Sequence, residues 1–167
     1  DYYIYCAAGG TYNRLNAWPS NYQVIGTTIA EHCPEQMFVV RNHANGNFYL
    51  NVERYYGAGL SVNGSSLGLG TATLFQLIDR GNGWYSIALS NQPNQVLTRT
   101  SRVFKQNVQV IGIAPYIEGD SAQLFRFEAL TPSLQLSASH LQLVSGQSTT
   151  LSYSFDGIAS PEIYLHI

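Results

Sequence analysis

The sequence repeats its own pattern at an interval of 37 residues. The stretches "FVVRNHANGNFYL" (38–50) and "FQLIDRGNGWYSI" (75–87) each run from an aromatic residue through an apolar alternation to Asn-Gly, and then into a second alternation. Leu60 and Leu97 continue the same interval. A period of this length favours a fold built from like units, because one unit alone cannot bury its apolar face.

Two further segments carry the same outline. They are "DYYIYCAAGGTYNRLNA" at the start and "SAQLFRFEAL" around Phe125, so the chain is predicted to hold three copies. In the first copy, Tyr3 and Tyr5 align with Phe48 and Leu50.

Each copy divides into four short runs of period-two alternation, which is typical of β-strands. The predicted first strands are "YYIYC", "NFYLNV" and "WYSIAL", and the second are "NRLNA", "AGLSV" and "QVLTR". The third are "YQVIGTT", "SLGLGT" and "VQVIGIA", and the fourth are "EQMFVV", "TLFQLI" and "QLFRF".

The joints between these strands are rich in Asn-Gly, which readily takes positive φ in tight hairpins. Asn45-Gly46 and Asn82-Gly83 join successive copies, and Asn63-Gly64 lies inside the middle copy. Twelve short strands in three fourfold units predict an all-β barrel capped by hairpins, since closure removes exposed edges.

This layout resembles the β-trefoil, and more narrowly the ricin-type lectins. The resemblance covers about residues 1–130, with repeats at about 1–44, 45–81 and 82–130. Ricin-type lectins carry Gln-x-Trp on the fourth strand of each repeat. The equivalents here are Gln36-Met37-Phe38, Thr73-Leu74-Phe75 and Gln123-Leu124-Phe125. Their three phenylalanines are expected to be core residues.

The resemblance implies non-catalytic carbohydrate binding without a cofactor, with glycans or glycoproteins as partners. In such lectins an Asp beside a Leu on the second strand grips sugar hydroxyls through charge-assisted hydrogen bonds. The positions after the marker leucines here are Asn16, Ser61 and Thr98, and none is Asp.

Two groups of residues are therefore the candidates for sugar contact. The first copy offers Asn16, Trp18, Asn21 and Tyr22, and the second offers Asn51, Glu53, Tyr55 and Tyr56.

Composition bears on the class of protein. Charged residues make up only 11% of the chain and the net charge is −2, which argues against nucleic acid as a partner. No apolar run approaches the ~20 residues that span a bilayer. The four histidines stand apart from one another, so we expect neither a metal site nor an enzyme.

The weakly charged polar surface favours a secreted or cell-surface protein. The chain begins at Asp1 and its only methionine is Met37, so we expect a removed signal segment or an excised piece. Cys6 and Cys33 can form one disulfide or stay as two thiols, and an extracellular setting favours the disulfide.

The tail, 131–167, changes in style. Its stretch "SLQLSASHLQLVSGQSTTLSYSF" resembles the opening strands of bacterial immunoglobulin-like or BACON-type surface modules. A few strands without cover are marginal, and strand addition between molecules is one way to cover them. The alternative function is therefore a structural or adhesive subunit that forms multimers through these C-terminal strands.

Overall fold

The computed structural model describes residues 1–18, 23–30, 32–55 and 57–130, together with the backbone of 133–138 and 151–156. The chain divides into two compact units, Asp1–Ala129 and Leu130–Ile167.

The described residues of the first unit form twelve strands, four in each of three repeats. The first repeat holds β1 (Tyr2–Cys6), β2 (Arg14–Trp18), β3 (Gln23–Thr27) and β4 (Phe38–Asn42). The second holds β5 (Phe48–Val52), β6 (Gly59–Asn63), β7 (Ser66–Gly70) and β8 (Phe75–Gly81). The third holds β9 (Trp84–Leu89), β10 (Gln92–Lys105), β11 (Val108–Pro115) and β12 (Phe125–Ala129).

Helix within the described residues is confined to short 3₁₀ turns at Pro34–Gln36, Ala44–Gly46 and Ser121–Gln123. The all-β prediction is therefore confirmed.

The strands pair with a threefold pattern that closes a six-stranded barrel. Within each repeat the first strand meets the fourth, through the pairs Tyr2↔Phe38, Phe48↔Phe75 and Tyr85↔Phe125. Between repeats the fourth strand pairs with the next first strand, as β4–β5, β8–β9 and β12–β1. The β12–β1 ladder joins the last repeat to the first, so the barrel strands are paired on both sides.

The second and third strands of each repeat form the hairpins β2–β3, β6–β7 and β10–β11. Their third strands meet one another through Gln23↔Gly68, Gly112↔Ser66 and Val110↔Ile25. The three hairpins thus form a closed cap with the same threefold pattern.

Three backbone hydrogen bonds fix which residues are equivalent. Ala7 N donates to Leu124 O at 2.8 Å, Glu53 N to Met37 O at 2.9 Å, and Ser90 N to Leu74 O at 3.0 Å. Ala7, Glu53 and Ser90 therefore occupy the same position, just after the first strand of each repeat.

This equivalence corrects the alignment of the first copy by one residue. Ile4 corresponds to Leu50, and both are fully buried, whereas Tyr5 corresponds to Asn51. A slip of one residue moves every strand side chain to the other face, so Tyr3 and Tyr5 leave the barrel axis.

The core is organised around the predicted phenylalanines. Phe38, Phe75 and Phe125 are fully buried in one apolar cluster. Leu15, Leu60 and Leu97 on the second strands are fully buried in the same cluster. Each repeat therefore contributes the same two kinds of side chain to a shared centre.

The glutamines of Gln-x-Phe brace the loop between the third and fourth strands. Gln36 Nε2 donates to Thr28 O at 2.9 Å and its Oε1 accepts from Ala30 N at 3.1 Å. Gln123 makes the equivalent pair with Pro115 O at 2.8 Å and Ile117 N at 2.7 Å.

The middle repeat has a much shorter connection there, from Gly70 to Phe75. Its Thr73 Oγ1 instead accepts from Val62 N at 2.9 Å. The middle repeat thus has Thr73 in place of Gln, and it lacks the long loop that the glutamine holds in the other two repeats.

The Asn-Gly joints between repeats take the predicted backbone. Asn45 and Gly46 have φ of 62° and 75°, and Asn82 and Gly83 have 56° and 80°. The third joint differs, because Asn63 pairs with Ser66 and only Gly64 of the turn has positive φ. That arrangement suits a hairpin turn with Gly at its first central position.

The predicted Cys6–Cys33 disulfide is wrong, since both thiols are free. Cys6 lies in the core at the end of β1, where its Sγ lies 3.6 Å from Ser121 O. Cys33 Sγ instead lies 3.3 Å from Glu35 Oε2. Cys6 thus contacts the turn Ser121–Gln123 of the third repeat, whereas Cys33 directly precedes the turn Pro34–Gln36 of the first repeat, so the two thiols face different turns.

In the tail, β13 (Ser133–Ala138) and β14 (Leu151–Asp156) pair antiparallel, from Ser133↔Asp156 to Ala138↔Leu151. The likeness of the tail to an immunoglobulin-like module stays a prediction.

Candidate functional site

An open cleft of about 290 Å³ lies where the β5–β6 loop meets β4. We call it the repeat-2 cleft and define it by its lining residues: Asp1, Val39, Arg41, Asn51, Val52, Glu53, Tyr55 and Gly57. Three of the residues proposed from sequence, Asn51, Glu53 and Tyr55, are thereby brought together.

Strand alternation places Asn51 in this cleft. Its neighbours Leu50 and Val52 are buried in the barrel core, so the side chain between them points outward. Asn51 Nδ2 donates to Ala58 O at 3.3 Å, and Val52 N donates to the same carbonyl at 3.2 Å. These bonds close the loop 53–58 over the strand end, and the Asn51 amide oxygen keeps no partner among the described residues.

Opposite charges line the repeat-2 cleft. Glu53 and Arg41 both face it, and within the described part of the chain neither is in an ion pair. The neighbouring Arg54 does pair, with its Nε 3.6 Å from Glu35 Oε1. The cleft therefore offers a carboxylate acceptor and a guanidinium donor that are available to a ligand.

Tyr55 lines the cleft and also contacts the barrel core. Its ring packs against the core cluster, and its backbone N donates to Val52 O at 3.1 Å. Burial, and then the nearby carboxylate of Glu35, raise the pKa of the phenol. The hydroxyl stays protonated at neutral pH and can donate a hydrogen bond.

Of the first-copy candidates, Asn16 and Trp18 have described positions, and their surroundings differ. Asn16 is buried, its Nδ2 donates to Ala17 O at 3.1 Å, and its Oδ1 lies 3.9 Å from Cys33 Sγ. Trp18 is 39% exposed and meets Phe104 edge to face, with ring centroids 5.5 Å apart. The Asn16 side chain is therefore buried, whereas the Trp18 ring is exposed to solvent.

Three other sequence candidates, Asn21, Tyr22 and Tyr56, lie outside the described residues.

A second cleft, of about 420 Å³, occupies the equivalent place in the first repeat. Tyr5 stands there in the position of Asn51, with the guanidiniums of Arg14 and Arg126 each 4.9 Å from its ring centroid. Tyr5 is only 4% exposed, so its ring is not an open stacking surface.

The third repeat has almost no loop at this position. β9 ends at Leu89 and β10 begins at Gln92, so two residues replace the loop 53–58 of the second repeat. The loop after the first strand is therefore much shorter in the third repeat than in the second.

Sequence reasoning missed Val39 and Arg41, which reach the repeat-2 cleft from the preceding repeat. Val39 pairs directly with Asn51 across the β4–β5 ladder. The Asn45-Gly46 joint was the available signal, because counting outward from it places β4 residues opposite β5 residues.

Among the residues with described positions, no group of three or more His, Cys, Asp or Glu side chains could hold a metal ion. The same residues include no helix with the length and apolar character needed to cross a membrane.

Comparison with known proteins gives a likeness of fold. No family model matches the chain, and no curated protein is similar to it at a significant level. Among solved structures, the chain is similar to the designed threefold symmetric protein ThreeFoil. The TM-score is 0.62 at 16% identity, over 77% of this chain and 98% of that one.

It is also similar to a mosquitocidal holotoxin, with a TM-score of 0.65 at 12% identity, over 82% of this chain. The chain corresponds to only 18% of the length of that toxin. At these identities the likeness concerns the fold alone, and together with the threefold strand pairing it supports a β-trefoil.

Proposed function

We propose that this chain is a non-catalytic, lectin-like carbohydrate-binding module of the ricin type, with the repeat-2 cleft as its sugar site. The observation that carries the proposal is the meeting of Asn51, Glu53, Tyr55 and Arg41 in one open cleft. Its ligand would be a glycan or the glycan of a glycoprotein, and the module would act outside the cell or at its surface.

The side chains of the cleft suit vicinal sugar hydroxyls. The Glu53 carboxylate can accept two charge-assisted hydrogen bonds from neighbouring hydroxyls. Arg41 and the Tyr55 hydroxyl can donate, and the Asn51 amide oxygen can accept. The cleft therefore contains both hydrogen-bond donors and acceptors. A diol needs both, because each of its hydroxyls donates and accepts.

The fold is compatible with this role. Sites on loops held by a rigid barrel are well placed for binding, since the loop can vary while the scaffold stays fixed.

A glycan array with the full chain tests the proposal, followed by calorimetry with the strongest glycan. Glu53→Gln is expected to weaken binding by about 10- to 100-fold, because hydrogen bonds to a charged group contribute about 1.5–3 kcal/mol. Asn51→Ala removes a neutral acceptor, worth about 0.5–1.5 kcal/mol, and is expected to weaken binding by about 2- to 10-fold.

Trp18→Ala is the matched control, since it removes the exposed aromatic of the other candidate group. It is expected to leave the affinity within about twofold. Loss of binding in Trp18→Ala with full binding in Glu53→Gln would move the site to the first repeat. No binding to any glycan would end the lectin proposal.

A second function is favoured by one observation in the tail. β13 and β14 form a two-stranded sheet, and within the described residues neither strand has a further partner. A lone two-stranded sheet is marginally stable, so we propose strand pairing with another molecule as the alternative role. A solution mass that rises with concentration in the full chain, and not after deletion of 133–167, would support this role.

A further inference from the structure

We infer that the open end of the barrel is a second binding site, which takes a small uncharged aromatic compound. The site is a cavity of about 400 Å³ that shares no residue with the repeat-2 cleft. We call it the barrel-end pocket and define it by its lining residues: Tyr2, Val40, Asn42, Gly46, Phe48, Leu77, Gly83, Tyr85 and Phe127.

The pocket lies on the pseudo-threefold axis, because its apolar residues come in two equivalent sets of three. One set, Tyr2, Phe48 and Tyr85, consists of the first-strand residues that pair with the core phenylalanines. The other set lies two residues after each core phenylalanine, at Val40, Leu77 and Phe127.

Residues two apart on a strand point to the same face. Phe38, Phe75 and Phe125 point into the barrel, so Val40, Leu77 and Phe127 point toward the same axis nearer its open end. All three strand pairs of the barrel therefore contribute a wall to one pocket.

The walls are aromatic and continuous with the core. Tyr2 and Phe127 meet edge to face, with ring centroids 5.9 Å apart at 84°. The ring centroid of Phe48 is 6.3 Å from that of the buried Phe75. At the mouth, Leu77 is 41% exposed, so the pocket opens to solvent.

The lining chemistry selects the ligand. None of the nine lining residues carries a formal charge, so a charged group inside would lose its hydration without a partner. The polar side-chain groups are confined to the Asn42 amide and the hydroxyls of Tyr2 and Tyr85. An aromatic ring would gain edge-to-face contacts with the walls, whereas a sugar would find only these three polar side-chain groups for its many hydroxyls.

The size agrees with that class of ligand. An apolar cavity of about 150 Å³ holds one benzene ring. The barrel-end pocket is larger, at about 400 Å³, so a compound with two or three aromatic rings fits.

Titration of the full chain with N-phenyl-1-naphthylamine, an uncharged fluorescent aromatic compound, tests the inference. We expect saturable binding to the unaltered protein. Leu77→Asp places a carboxylate at the mouth and is expected to weaken binding at least about tenfold. Val103→Asp is the matched control, because Val103 is 56% exposed and does not line the pocket. It is expected to change binding less than about twofold.

A second variant separates a pocket from a merely sticky surface. Val40→Trp fills the barrel-end pocket with apolar atoms, so it is expected to abolish saturable binding. Adsorption to an apolar patch would instead become stronger, which would overturn the inference. Equal weakening by Leu77→Asp and Val103→Asp, or no saturable binding by the unaltered protein, would also overturn it.

The outcome is independent of the sugar site. Glu53→Gln is expected to bind the fluorescent compound as the unaltered protein does, because the two sites share no residue.

Discussion

Gln36 and Gln123 show how a single side chain can hold the loop between two strands in place. Each is almost fully buried, and each uses both its amide nitrogen and its amide oxygen on backbone groups of the loop. Gln36 Oε1 also accepts from Arg14 Nη1 at 3.3 Å, which provides a partner for a buried guanidinium.

Substitution of Gln36 by Ala is expected to lower the free energy of unfolding by about 2–4 kcal/mol, because buried backbone groups and Arg14 would lose partners. Thr73→Ala, at the equivalent position of the middle repeat, removes one hydrogen bond and is expected to cost about 1 kcal/mol. Urea unfolding of both variants measures the difference. Equal costs would contradict the role given to the glutamine.

Burial of Cys6 makes the stability of the protein depend on alkaline pH. The pKa of its thiol rises from 9.0 to about 11, chiefly because the core disfavours the thiolate. Between these values the folded state keeps a proton that the unfolded state has released, so the stability falls as the pH rises.

The loss is absent below pH 9.0 and complete above about pH 11, where it amounts to about 2–3 kcal/mol. Cys6→Ala lacks this titration. We therefore expect the stability difference between Cys6→Ala and the unaltered protein to shrink by about that amount from pH ~8 to pH ~11. Unfolding free energies from urea titrations at the two pH values check this, and an unchanged difference would refute it.

At the scale of elements, the hairpin β6–β7 depends on a close approach at one of its two paired glycines. Gly59 and Gly70 lie directly opposite one another. A Cβ on Gly59 would lie 2.5 Å from Ala72 Cβ and 2.9 Å from Leu50 O, whereas a Cβ on Gly70 would meet only Ser61, with Cβ at 3.6 Å and Oγ at 3.7 Å.

Gly59→Ala is therefore expected to destabilise the protein by about 1–3 kcal/mol through overpacking. Gly70→Ala is the matched control, since the added methyl meets only ordinary contact, and it should change stability by less than about 0.5 kcal/mol. Thermal and urea unfolding of the pair provide the comparison. A similar effect of both substitutions would mean that the contact with Ala72 does not constrain β6.

The strands could be predicted from sequence because alternation and Asn-Gly joints are local signals. The register of the first copy could not be predicted, because Tyr3 and Tyr5 are residues as common on the buried face of a strand as Ile4 and Cys6. Only the cross-strand hydrogen bonds reveal which pair faces the axis. The sequence predicted only part of the repeat-2 cleft. Asn51, Glu53 and Tyr55 are close in sequence and could be grouped, whereas Arg41 belongs to another repeat and could not.

The disulfide prediction was wrong because it relied on an even number of cysteines that are close in sequence. Neither property tells which part of the fold each thiol contacts. Cys6 lies against the turn Ser121–Gln123, which is distant in sequence, and such a contact exists only once the barrel has closed.

For the whole molecule, threefold equivalence makes a quantitative prediction. Phe38, Phe75 and Phe125 are all fully buried in one cluster, so Phe→Leu at each position should cost a similar amount, about 1–2 kcal/mol. Urea unfolding of the three single variants measures these costs. Val103→Ala, at an exposed position, is the control and should cost less than about 0.5 kcal/mol. A cost at one phenylalanine far below the other two would show that its repeat contributes little to the shared core.

Closure of the barrel by β1 and β12 also sets how the first unit responds to tension. Tyr2 lies opposite Ala129, so the two ends of this unit sit side by side on neighbouring antiparallel strands. A force that draws Asp1 and Leu130 apart acts on the Tyr2↔Ala129 pair first, then on Tyr3↔Glu128, and so on along the ladder. The hydrogen bonds would break one after another along the ladder. The β1–β12 pairing that closes the barrel is therefore also the pairing that such a force would separate first.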